Sequence, residues 1–162
     1  MKGLNKYFEE YYKQLDKGYI IIAYREIISF MSSLKSSLEK DLNDYQIGNI
    51  YQGYMDMTYF PITNLKLKEE KLKVAVVFLH KEARFELWLS GTNKIIQKYH
   101  IDKFRKIEIG KYKLSDPNPG VDSILEYIIL ERPNFEQQAE IANIIKEKIL
   151  EFFEDIIELL KY

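Results

Sequence analysis

The chain has 162 residues, 46% of them hydrophobic and 30% charged, a length and balance that suit one globular domain spanning 1–162 and exclude a disordered chain. It has no cysteine, which excludes disulfides, thiolate metal sites and a cysteine nucleophile and fits a reducing cytoplasm, the expected location. Its net charge is −1, and its longest apolar run, Tyr19 to Tyr24, falls far short of the roughly 20 residues of a membrane span, so no membrane partner is expected.

The first segment, Met1 to Lys17, alternates charge with aromatics and lacks the apolar centre of a signal peptide. Within it Leu4, Tyr7, Phe8, Tyr11, Tyr12 and Leu15 recur at helical spacing. Gly18 follows as a helix stop. A second helix is predicted from Tyr19 to Leu42, with Ile20, Tyr24, Ile27, Ile28, Met31, Leu38 and Leu42 on one face. The chain therefore opens as a helical hairpin.

Past the turn signals Asn43-Asp44 and Gly48-Asn49 the period falls to two. A strand is predicted over 50–60, with Tyr51, Met55, Met57 and Tyr59 on one side and Gln52, Tyr54, Asp56 and Thr58 on the other. Pro61 is expected to end it, because proline cannot donate to a central ladder. Lys66 to Lys71 reads as an exposed connection. Leu72 to His80 is apolar on both faces beyond Lys73, the pattern of a central strand covered on two sides. After a tight turn at Lys81-Glu82, Arg84 to Ser90 alternates, with Phe85, Leu87 and Leu89 inward and Arg84, Glu86, Trp88 and Ser90 on the other face.

Gly91-Thr92-Asn93 opens a helix predicted over 94–106, and a short strand is expected over 107–112. Ser115 to Gly120 is a loop. Val121 to Leu130 fits helix and strand, and the spacing of Val121, Leu125 and Ile128 favours a short helix. Asn134 with Gln137 resembles a capping box ahead of a long helix striped by Ile141, Ile145, Ile149, Phe152, Ile156 and Leu160. The predicted order is α-α-β-β-β-α-β-α-α: an α/β (α+β) fold with a mixed sheet of about four strands and helices on its faces.

Charge divides unevenly along the chain. Residues 66–113 carry 13 Lys/Arg against 6 Asp/Glu, and residues 114–162 carry 4 against 11. Lys94, Lys98, Lys103 and Arg105 on one helix and its exit are the candidate nucleic-acid contacts. Packing of the basic portion against the acidic one is favoured over nucleic-acid binding; a homodimer in which the two portions meet across subunits is a third arrangement.

The polar side of the meander is the candidate site. Asp56 and Glu86 are the candidate catalytic pair, and Gln52, Tyr54, Arg84 and Trp88 would surround them as binding residues. Two carboxylates on one sheet face suit a hard divalent cation such as Mg²⁺; Arg84 beside them suits simple neutralisation, the favoured reading. His80 and His100 have no partner at metal-ligand spacing, and either suits a general base. No phosphate loop, dinucleotide fingerprint or nucleophile elbow occurs.

The order α-β-β-β-α-β, with Asp56 on one strand and Glu86-Leu87-Trp88 on another, resembles the restriction-endonuclease-like nuclease superfamily. That resemblance covers residues 20–113 and implies Mg²⁺ as cofactor; Trp88 stands where the superfamily has lysine. A longer resemblance rests on Gly53 to Phe60, Phe85 to Gly91 and the opening hairpin. In these the chain is similar to a family of small uncharacterised bacterial proteins, which implies no activity. The expected function is a non-catalytic binding or accessory module that uses the polar sheet face or the loop at 115–120, without a cofactor. The alternative is a divergent metal-dependent nuclease.

Overall fold

The computed structural model describes residues 3–162. Helices α1 (Leu4–Asp16) and α2 (Tyr19–Asp41) make the opening hairpin. Gly18 turns the chain between them at φ 78°, a left-handed conformation that a side chain would disfavour, and donates its N–H to the carbonyl of Leu15. Only the second half of α2 reaches the core, through Phe30, Met31, Leu34 and Leu38.

Six strands follow: β1 (Tyr45–Ile47), β2 (Met57–Asn64), β3 (Leu72–Leu79), β4 (Arg84–Gly91), β5 (Lys113–Leu114) and β6 (Ser123–Glu131). They form one sheet in the order β1-β2-β3-β4-β6-β5. Every pairing is antiparallel, so the expected mixed sheet of about four strands becomes a six-stranded antiparallel one. The physical reason lies in the connection after β4. Helix α4 (Lys94–Phe104) and the loops around β5 carry the chain back before β6 enters, so β6 runs against β4.

Five local expectations change. Residues 50–56 are a loop, with Tyr51 making an isolated bridge to Tyr59, and β2 begins at Met57. Gly53 shapes that loop at φ 73°, and a Cβ there would lie 1.9 Å from the carbonyl oxygen of Met57. Pro61 lies inside β2, where its carbonyl accepts from Gly48 at 2.8 Å. In an antiparallel strand the N and C=O of one residue face the same neighbour, so its missing N–H falls beyond the end of β1 and removes no β3 ladder bond. Residues 66–71 hold a short helix, α3 (Leu65–Glu69), which buries Leu67 and is capped by Asn64. The segment 121–130 is strand β6, and the expected strand over 107–112 is not formed. Local spacing supported helix and strand equally at 121–130, and pairing along β4 decides for the strand.

Register divides the sheet into two faces. Phe60, Val76 and Leu87 form one row of the core face, and Ile62, Val74 and Leu89 the next, all fully buried. Helices α2 and α5 (Gln138–Leu159) close that face: Phe30 of α2 meets Phe85 of β4 with ring centres 5.6 Å apart, and Phe153 of α5 meets Tyr45 of β1 at 4.8 Å. Asn134 caps a 3₁₀ turn, Phe135–Gln137, that leads into α5, and of the predicted stripe Ile141, Ile145, Ile149, Phe152 and Ile156 are buried, while Leu160 is half-buried at the C-cap just past the helix end. Among the described residues no helix is long and apolar enough to cross a membrane.

Candidate functional site

The second sheet face carries Pro61, Ala75, Trp88 and Glu126 in one row and Lys73, Ser90 and Ser123 in the next. With Met57 and Tyr59 these alternate residues of four strands floor a cavity of about 400 Å³. The rim is the β4–α4 turn, Gly91 to Lys94, together with Gln97 and the loop at Gly120 to Asp122. A cavity of that size holds a small molecule.

The rim is fastened by hydrogen bonds. Asn93 caps α4 by accepting from Ile96 at 2.9 Å. Gln97, buried on α4, donates to the carbonyls of Val121 and Ser123 at 2.8 and 3.0 Å. Lys94 donates to Val121 at 2.5 Å and pairs with Asp122 at 3.0 Å. On the floor, Ser123 donates to Glu126 at 2.7 Å, and Lys113 reaches the other oxygen of that carboxylate at 3.4 Å. The acidic groups are thus balanced, while Lys73 is exposed and pairs with no carboxylate among the described residues. The cavity combines an aromatic floor, Trp88 and Tyr59, with one uncompensated cation.

Of the residues the sequence singled out, Trp88 faces this cavity. Its indole N–H also donates to Glu86 at 2.5 Å, and Arg84 donates to the other Glu86 oxygen at 2.6 Å. Glu86 is buried, so both of its oxygens are occupied beneath the surface. Asp56 lies elsewhere, exposed in the loop before β2, where its carboxylate accepts from the backbone of Tyr54 at 2.8 Å. That bond, with one from Met57, holds its carboxyl below the usual range. Asp56 and Glu86 share no hydrogen-bond partner, and among the described residues no three His, Cys, Asp or Glu side chains gather where a metal would sit.

Gln52 and Tyr54 share the Asp56 loop rather than the sheet face. The carbonyl of Gln52 accepts from Thr58 at 2.7 Å. Since the Thr58 hydroxyl spends its one proton there, its oxygen accepts from His80 Nε2 at 2.8 Å, and His80 is protonated on that nitrogen. Burial lowers the pKa of His80, and the nearby Asp56 charge opposes that shift. The four basic candidates all have local partners. Lys98 and Arg105 share Asp102, Lys94 pairs with Asp122, and Lys103 donates to the Leu160 carbonyl at 2.9 Å, near the end of α5. Lys111 pairs with Glu151 and reaches Asp155 at 3.9 Å, so basic and acidic portions meet within one chain.

Sequence reading missed Lys73, Tyr59 and Glu126 as cavity residues. The lone charge of Lys73 in an otherwise apolar strand was the available signal. Glu126 was hidden because its segment read as a helix.

A family model described as "Domain of unknown function (DUF7000)" matches residues 4–160. No curated protein and no solved structure shows significant similarity to the chain.

Proposed function

The chain belongs to the DUF7000 family, and we propose that this member is a non-catalytic binding module whose ligand enters the cavity on the second sheet face. The observation that carries the reading is a roughly 400 Å³ cavity floored by Trp88 beside the unpaired Lys73. Such a floor favours a small ligand with a flat apolar part, which stacks on the indole, and an anionic group, which meets the lysine. The positive end of α4 at the rim adds to the attraction. Ser90 and Ser123 lie in the lining but are buried, and no histidine lines the cavity, so the lining supports holding a ligand rather than transforming it. The divalent-cation reading of Asp56 and Glu86 has no comparable support, because Glu86 would have to release both Arg84 and Trp88 before meeting a cation.

Trp88 is the single tryptophan of the chain, so its fluorescence reports on the cavity alone. Titration with planar anions, benzoate and a nucleoside monophosphate among them, is expected to change that emission saturably. Lys73→Glu should weaken the affinity about tenfold or more, the equivalent of about 1.4 kcal/mol. Unchanged emission up to millimolar probe, or equal affinity in Lys73→Glu, would count against the reading.

A further inference from the structure

None of residues 3–29 is buried, although this stretch holds nine large, exposed apolar side chains: Leu4, Tyr7, Phe8, Tyr11, Tyr12, Tyr19, Ile20, Ile21 and Ile22. Their exposure runs from 36% to 75%. All of α1 and the first turn of α2, up to Tyr24 where the ring meets His80 at 5.6 Å, therefore project from the core as an uncovered arm. An isolated helix of 13 residues is only marginally stable in water, so α1 calls for a surface to pack on. With aromatic side chains each able to bury roughly 150–250 Å², the arm presents on the order of 1,000 Å² of apolar surface. That exceeds the roughly 300–600 Å² of the largest patch on an ordinary monomer and reaches the roughly 800 Å² per partner of a stable interface.

The pattern selects the kind of surface. Leu4, Phe8, Tyr11 and Leu15 are spaced 4-3-4, the seam by which one helix packs into another. A helix that lies on a lipid surface carries a polar face rich in Lys and Arg. Here, within residues 3–17, Lys6, Lys13 and Lys17 are balanced by Glu9, Glu10 and Asp16, so the helix lacks the cationic face that an anionic membrane would attract, and a second identical helix meets no net repulsion. Tyrosine is enriched at protein interfaces, and Tyr7, Tyr11, Tyr12 and Tyr19 supply four here.

We infer that the N-terminal hairpin is a dimerisation arm, and that two copies of the chain pair their hairpins in a helical bundle that uses none of the residues lining the sheet-face cavity. The inference goes beyond the ligand reading and stands if that reading fails.

Light scattering on the eluted full chain is expected to give twice the 19.4 kDa of one copy at micromolar concentration. Tyr11→Lys combined with Ile22→Lys should return it to one copy with far-ultraviolet dichroism and melting of the core kept, because neither side chain is buried. The chain lacks cysteine, so Tyr12→Cys introduces a single thiol, and a short bis-maleimide should link two arms in high yield. This second readout decides if the double variant fails to fold. A monomer up to ~100 µM, an unlinked Tyr12→Cys, a dimer that persists in the folded double variant, or sedimentation of the chain with anionic vesicles would each overturn the inference.

Discussion

His100 is buried, with Nε2 3.4 Å from the carbonyl oxygen of Glu70 and Nδ1 without a partner among the described residues. If Nε2 donates to that carbonyl, the proton of a second, charged state would sit on Nδ1 with nothing to accept it. Burial accordingly lowers the pKa from its ordinary 6.5, and the Glu70 carbonyl and carboxylate oppose the shift only in part. Lys103, on the same helix, adds to the lowering, and His80 is shifted in the same direction. The unfolded chain takes up these protons near pH 6.5 while the folded chain resists, so the stability from neutral histidine is full above that pH and declines as pH falls below it. Urea denaturation at pH 7.5 and pH 5.5 should show a lower midpoint at the acid value. In His100→Phe, which keeps an aromatic ring and removes the titration, the difference should shrink; an unchanged difference would contradict the assignment. Glu86 shows the other side of residue-scale reasoning. The alternation placed it correctly opposite the core residues, but no one-dimensional pattern shows that Arg84 and Trp88, two positions to either side on the same strand, close over both of its oxygens.

At the scale of elements, β3 is the strand on which the sheet is built, paired on both sides and with Val74, Val76 and Val77 fully buried. Its Phe78 is 3% exposed and packs against Phe85 at 4.8 Å and Phe135 at 5.8 Å. Phe78→Ala removes all of these contacts and should cost about 3–5 kcal/mol in chemical denaturation; a loss under about 1 kcal/mol would mean that the site collapses or is not core. Elements with a strong local period were legible from the sequence: the hairpin helices, β3, β4 and the striped α5. Elements fixed by distant partners were not. β6 has the composition of either element until it lies against β4, and the 50–56 loop alternates like a strand although Gly53 and Met55, both at positive φ, bend it away from the ladder. The cavity followed the same division. Trp88 was visible because β4 alternates cleanly, whereas Glu126 depended on the misread β6, and Gln52, Tyr54 and Asp56 on a strand that starts later.

Across the whole molecule, helices close one sheet face while part of the other floors the cavity, and α1 with the first turn of α2 projects beyond both. The same register that buries Phe60, Val76 and Leu87 turns Pro61, Ala75 and Trp88 towards the cavity, so core and site are two consequences of one alternation. Lys111 with Glu151, and Lys103 with the Leu160 carbonyl, join the basic and acidic portions within the chain; Lys94, the other cation lining the cavity, pairs with Asp122, which leaves Lys73 as the cation available to a ligand there. The most direct measurement of the central claim is amide and indole chemical-shift mapping of the nitrogen-15-labelled full chain during titration with a nucleoside monophosphate. One tryptophan gives one indole N–H signal, on the floor of the cavity. The account predicts that this signal moves together with the amides of Lys73, Ser90, Lys94 and Gln97 and saturates as one site. Shifts that gather around Asp56 and His80 instead, or no shift of the indole at millimolar probe, would contradict it.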